Sequence, residues 1–83
     1  MMPSLQSNLV LYNDDVNSFE WVIDCLVKEC FHHPIQAEQC AYLVHYTGQC
    51  IIKVGDAAEL KPMCDALVTK GLHAQIHINH EAV

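Results

Sequence analysis

Apolar residues recur along this chain with two alternating periods, and the switches between them mark out six elements. Asn8 to Tyr12 contains Leu9-Val10-Leu11-Tyr12, a short continuous apolar run that reads as a strand covered on at least one face. Asn13-Asp14-Asp15 stops it, because Asn and Asp disfavour strands and prefer turns. Phe19, Val22, Leu26 and Cys30 then follow a helical period, with Ile23 and Val27 widening the stripe. Asn17-Ser18-Phe19-Glu20 has the form of a capping box, with Asn17 as the cap, and predicts a helix from Ser18 to about Glu29. His33-Pro34 opens a second helix with proline at its first position, where a missing amide hydrogen costs nothing. Ala37, Cys40, Ala41, Val44 and His45 form its inward face, and Gly48 is its natural stop.

Cys50-Ile51-Ile52-Lys53-Val54 reads as a second strand. Asp56 and Glu59 form another cap-box pair, which opens a third helix running to about Lys70 and ended by Gly71. Pro62 removes one backbone bond from it, which predicts either an irregular first turn or a later start. In the last strand Ala74, Ile76 and Ile78 alternate with Gln75, His77 and Asn79, giving one buried and one wet face. The order β-α-α-β-α-β with amphipathic elements throughout implies a two-layer α/β domain. Residues 1–7 read as a short disordered lead and residues 8–83 as a single domain.

Composition narrows the class. Eighty-three residues with 52% hydrophobic and 17% charged side chains are too apolar for a disordered chain, yet make only a modest core. No apolar run approaches the roughly 20 residues needed to span a bilayer. The opening Met1-Met2-Pro3-Ser4-Leu5 lacks the basic and apolar regions of a signal peptide, so a cytoplasmic protein without membrane association is expected. Cys25, Cys30, Cys40, Cys50 and Cys64 are odd in number and lack C-x-x-C spacing, which favours buried reduced thiols over disulfides. His32-His33 lies near Cys30, but a zinc site normally needs four convergent ligands, and no metal or other cofactor is expected. The net charge of −6 excludes the basic stripe of a nucleic-acid binder and favours a cationic ligand.

The candidate chemistry lies in Asn13-Asp14-Asp15 and in the helix end Val44-His45-Tyr46-Thr47-Gly48. If the fold brings them together, Asn13 supplies an amide oxygen, Asp15 a carboxylate and neutral His45 a ring lone pair. Such an acceptor-only cage beside apolar side chains suits a primary ammonium on a hydrophobic body, which describes a free, bulky N-terminal residue. The same residues taken singly also read as ordinary turn chemistry and as a stabilising cation at a helix C-terminus.

Taken jointly, the turn, Asn17, the helix end and the element order from about Leu9 to Ile78 resemble the ClpS adaptors, which recognise N-degrons and deliver them to a Clp protease. The resemblance implies three helices packed on a small three-stranded antiparallel sheet. It implies that Asn13, Asp15 and His45 hold the α-amino group, with Asp14 on the pocket rim. The side-chain pocket is then lined by Asn17, Phe19, Val22, Ala41, Val44 and Ala74. It also implies a non-enzymatic, monomeric adaptor whose partners are peptides or proteins beginning with Leu, Phe, Tyr or Trp and the N-domain of a Clp AAA+ ATPase. The chain departs from the best-known members in carrying Phe19 and Ala41 where they have methionine, and Val16 where they have an aromatic residue. Its N-terminal segment is also shorter. Two other readings stay open at this point: a structural protein-interaction domain of the same small fold, and a thiol enzyme using Cys40 or Cys50 with His45.

Overall fold

A computed structural model describes residues 6–78. The elements are β1 (Gln6–Tyr12), α1 (Phe19–Cys30), α2 (Pro34–Thr47), β2 (Gln49–Asp56), α3 (Ala57–Thr69) and β3 (His73–Ile78). β1 lies between β2 and β3, and both pairings are antiparallel. This is the three-helix, three-stranded α/β architecture expected from the sequence. β1 begins at Gln6, two residues earlier than its apolar run suggests, because Gln6 and Ser7 pair with Asp56 and Gly55. Met1 to Leu5 of the predicted lead, and Asn79 of the last strand, lie outside the described residues.

Alternation along β1 places Ser7, Leu9 and Leu11 on the helix-covered face. Leu9 and Leu11 meet Leu26 of α1, Ala37 and Val44 of α2, and Leu60 and Leu67 of α3 in one core cluster. Each fully buried leucine contributes about 1.5–3 kcal/mol of apolar transfer. The β1–β2 register shifts between Leu9 and Val10, which face Lys53 and Ile51, so Ile52 is the extra residue of a bulge. Its carbonyl accepts a 2.8 Å hydrogen bond from Nε2 of the buried His32. His33 caps α2 through Nδ1, which accepts from the Ile35 amide. Both histidines near Cys30 therefore have structural partners.

Four local expectations are corrected. The cap of α1 is Ser18, whose Oγ accepts from the Trp21 amide at 3.2 Å. Asn17 is drawn off because its side-chain amide donates to both Asp14 carboxylate oxygens and to the Gly71 carbonyl. With Ser18 as cap, Glu20 is the second helical residue, one position short of closing a capping box. Asp56 does cap α3 in backbone conformation but makes no side-chain cap bond. The Glu59 carboxylate lies instead over Gly55, where a Cβ would stand 3.3 Å from Oε1. α3 begins directly after Asp56 and runs continuously through Pro62, since a single missing donor removes only one bond to the preceding turn. The buried face of β3 is confined to Ala74 and part of Ile76, while Ile78 is exposed at the end of the sheet.

α1 is tied to the C-terminal end of α3. Trp21 Nε1 donates to the Lys70 carbonyl, and the Lys70 ammonium pairs with Glu29 and lies 5.9 Å from the Trp21 ring. Together with the Asn17–Gly71 bond, this fixes the start of α1 against the turn that precedes β3. Gly48 and Gly71 end α2 and α3 with φ of 94° and 92°, a conformation that a side chain would strain.

Candidate functional site

The two sequence stretches that carry the candidate chemistry meet where β1 ends. The Asn13 amide donates to the Gly48 carbonyl at 2.9 Å, so the turn after β1 is held against the C-terminus of α2. Asp14 then shapes the turn. Its Oδ1 accepts from the Val16 and Asn17 amides at 2.9 Å, and the Asn17 side chain closes on both oxygens. Burial by itself would raise the Asp14 carboxyl, but these hydrogen bonds outweigh it and leave the pKa below the ordinary carboxylate value. Asp14 thus stays ionised with its acceptors committed within the loop, whereas Asp15, next to it, points to solvent.

A cavity of about 310 Å³ opens beside this turn. Asn13, Asp14, Asp15, Asn17, Phe19, Val22, Ala41, Val44 and His45 all line it, so nine of the ten residues singled out in the sequence converge. Its size is at the lower end of the roughly 300–1,000 Å³ typical of ligand pockets, suited to one side chain rather than a large ligand. Ala41 and Val44 form buried wall, Phe19 and Val22 are half-buried, and Asn13, Asp15 and His45 are exposed at the mouth. The side chains of these last three make no hydrogen bond among the described residues. Three uncommitted acceptors therefore flank one apolar recess. The carbonyl end of α2 adds partial negative charge beside His45, which favours a bound cation.

Ala74 is the exception. It is buried in the main core and does not line the cavity, because the alternation of β3 turns it beneath the sheet–helix interface. Leu72, placed between the Gly71 turn and β3, lines the cavity instead, held by its backbone N–H, which donates a hydrogen bond to the Leu67 carbonyl. Leu11, Tyr12 and Ser18 also line it without having been singled out. An isolated apolar residue between a helix-ending glycine and a strand was the one cue that could have marked Leu72.

His45 makes no hydrogen bond to a cysteine among the described residues; its ring lies 5.2 Å from Phe19 and 4.9 Å from Tyr46. Burial, with Cys40 beside it, pushes the Cys50 thiol up to about 12, and burial pushes Cys30 up to about 11. At pH 8 a thiol with a pKa of about 12 is ionised to about one part in ten thousand, and the thiolate is the nucleophile. Iodoacetamide at pH 8 is accordingly expected to label Cys50 of the native protein at least about a hundredfold more slowly than after unfolding in urea. Rapid labelling of native Cys50, read by peptide mass spectrometry, would restore the nucleophile reading. No group of three or more His, Cys, Asp or Glu side chains converges as a metal site among the described residues.

Residues 3–77 match the model of the family described as ATP-dependent Clp protease adaptor protein ClpS. Among solved structures, that of Agrobacterium tumefaciens ClpS2 bound to L-phenylalaninamide matches with a TM-score of 0.79 and 17% identity, covering 93% of this chain and all of that one. No curated protein sequence matches the chain. The structural likeness establishes the fold, and the family match covers nearly the whole chain.

Proposed function

The chain belongs to the ClpS family of Clp protease adaptor proteins, and from that premise we propose that it binds proteins with a free, bulky hydrophobic N-terminal residue and delivers them to a Clp AAA+ ATPase. In this reading Asn13, Asp15 and His45 accept hydrogen bonds from the α-ammonium, and the recess between α1 and α2 takes the first side chain. Asp14 and Asn17 hold the loop that presents Asn13 and Asp15. The adaptor acts as a cytoplasmic monomer, transfers its cargo without chemistry and needs no cofactor.

The observation that carries this reading is the convergence of three uncommitted acceptors on the mouth of one apolar cavity. A primary ammonium offers three donors, and the mouth can offer it three acceptors: the Asn13 amide oxygen, the Asp15 carboxylate and a ring nitrogen of His45. The compound bound to the Agrobacterium relative, L-phenylalaninamide, has the same two parts, a free α-amine and an apolar side chain. Charged hydrogen bonds at about 1.5–3 kcal/mol each, with about 2–3 kcal/mol from side-chain burial and less the cost of association, suit roughly micromolar affinity. Titrating a Phe-initiated peptide against its N-acetylated form tests the assignment.

Phe19 sets the choice among side chains. Its ring lines the cavity and packs against Tyr42 at 5.1 Å and His45 at 5.2 Å, which leaves it little room to withdraw. A substrate branched at its β-carbon carries extra bulk at the mouth, whereas Leu and Phe branch deeper. Wild-type protein is expected to prefer a Leu- over an Ile-initiated peptide by about tenfold, within the range for small shape differences in apolar pockets. Phe19→Ala should narrow that preference to less than about threefold. Equal wild-type affinity for the two peptides, measured by fluorescence anisotropy, would remove Phe19 from this role.

A further inference from the structure

Phe19 is only the innermost of a row of rings that continues outside the cavity. Its ring meets Tyr42 at 5.1 Å and His45 at 5.2 Å, His45 meets Tyr46 edge-on at 4.9 Å, and Tyr42 and Tyr46 lie nearly parallel, 8° apart with centroids at 6.1 Å. Tyr42 and Tyr46 are one turn apart on α2, and neither lines the cavity. They are 47% and 74% exposed, and neither belongs to the core cluster. Core packing therefore does not account for them. Glu38 stands a further turn back on the same stripe, exposed, and makes no ion pair among the described residues. Lys28, Lys61 and Lys70, three of the four basic residues of the chain, are paired with Asp24, Asp65 and Glu29. The stripe is thus an aromatic ledge with an unneutralised carboxylate at its far end.

We infer that this Tyr42–Tyr46 ledge receives the side chain of the ligand's second residue and selects a guanidinium there, so that the preferred cargo begins with a bulky apolar residue followed by arginine. The inference rests on the α-amine reading of the cavity. Adjacent Cα atoms are about 3.8 Å apart, so a second residue begins its side chain close to a first residue whose amine sits at His45. Tyr46 is in contact with His45, and Tyr42 is in contact with Phe19 at the cavity wall, which puts both rings within reach of a long side chain. Arginine lays a planar cation on an aromatic face, where the ring quadrupole attracts it, and its weak hydration favours this over lysine. A carboxylate in the same place meets the negative ring faces, Glu38 and a chain of net charge −6.

The test uses the full chain and peptides that differ only at the second position, Phe-Arg, Phe-Ala and Phe-Glu, with N-acetyl-Phe-Arg as control. Affinities are measured at one ionic strength for wild type and for the double variant Tyr42→Leu/Tyr46→Leu. Phe-Arg is expected to bind about threefold tighter than Phe-Ala, the size of an exposed cation–π contact, and Phe-Glu correspondingly weaker. In the double variant the Arg-over-Ala ratio should fall to less than about 1.5. If circular dichroism shows that the double variant has lost its fold, Tyr46→Leu alone is expected to lower the ratio. Equal binding of Phe-Arg and Phe-Ala by wild type, with acetylation still abolishing binding, overturns the ledge and leaves the amine site standing. An unchanged ratio in the folded variants assigns the preference to overall charge and also overturns it. Failure of every free-amine peptide to bind removes the amine site and the ledge together.

Discussion

Asp15→Ala and His45→Ala are each expected to weaken binding of an unblocked Phe-initiated peptide by at least about tenfold while leaving the fold intact. A charged hydrogen bond is worth about 1.5–3 kcal/mol, and a tenfold change corresponds to about 1.4 kcal/mol, so the loss of one acceptor is sufficient. The fold should tolerate both changes because both side chains are exposed and make no hydrogen bond among the described residues. Asp14 provides the contrast. Its carboxylate holds two loop amides and the Asn17 side chain, which in turn reaches the Gly71 carbonyl. Asp14→Ala therefore acts through the loop, and its effect on binding should come with a loss of thermal stability that Asp15→Ala lacks. The two site variants should not be additive, since Asp15 and His45 contact one ammonium. Calorimetric titration beside thermal melts separates these cases; unchanged affinity in both site variants would place the binding site elsewhere.

The elements were legible where side-chain periodicity is strong. The helical spacing of Phe19, Val22, Leu26 and Cys30, and Pro34 and Gly48 at the ends of α2, locate their helices to within a residue or two. Cap assignment was less legible because Asn17 and Ser18 are both good caps, and the choice depends on a partner far along the chain, Gly71. The reach of β1 back to Gln6 was likewise invisible, since polar Gln6 and Ser7 enter the sheet through their pairing with β2. At the site, nine of the ten residues singled out line one cavity, where turn, helix end and family resemblance point to the same place. Ala74 does not line it for a geometric reason: strand alternation decides which face a residue joins, but not whether that face borders the cavity or the core beneath it. The ring row of Phe19, Tyr42, His45 and Tyr46 also escaped a linear reading, because it joins two helices. The division of labour between Asp14 and Asp15 was legible only in part, as adjacent and chemically identical carboxylates differ solely in what the backbone brings to them.

If the cavity mouth recognises an α-ammonium, acetylating that amine removes the group it recognises. Acetylation removes the positive charge and leaves one N–H donor, while the apolar side chain that fills the cavity is unchanged. Asp15 would then be left facing an uncharged amide, and at least two charge-assisted hydrogen bonds would be lost. The expected penalty is at least about a hundredfold, corresponding to about 2.8 kcal/mol. The measurement is a calorimetric titration of the wild-type protein with a Phe-initiated peptide and with its N-acetyl form, in the same buffer at pH 7.5. Roughly micromolar binding of the free peptide, with no saturable binding of the acetylated one at a hundredfold higher concentration, is the predicted result. Equal affinity for the two peptides would rule out recognition of the amine at the cavity mouth.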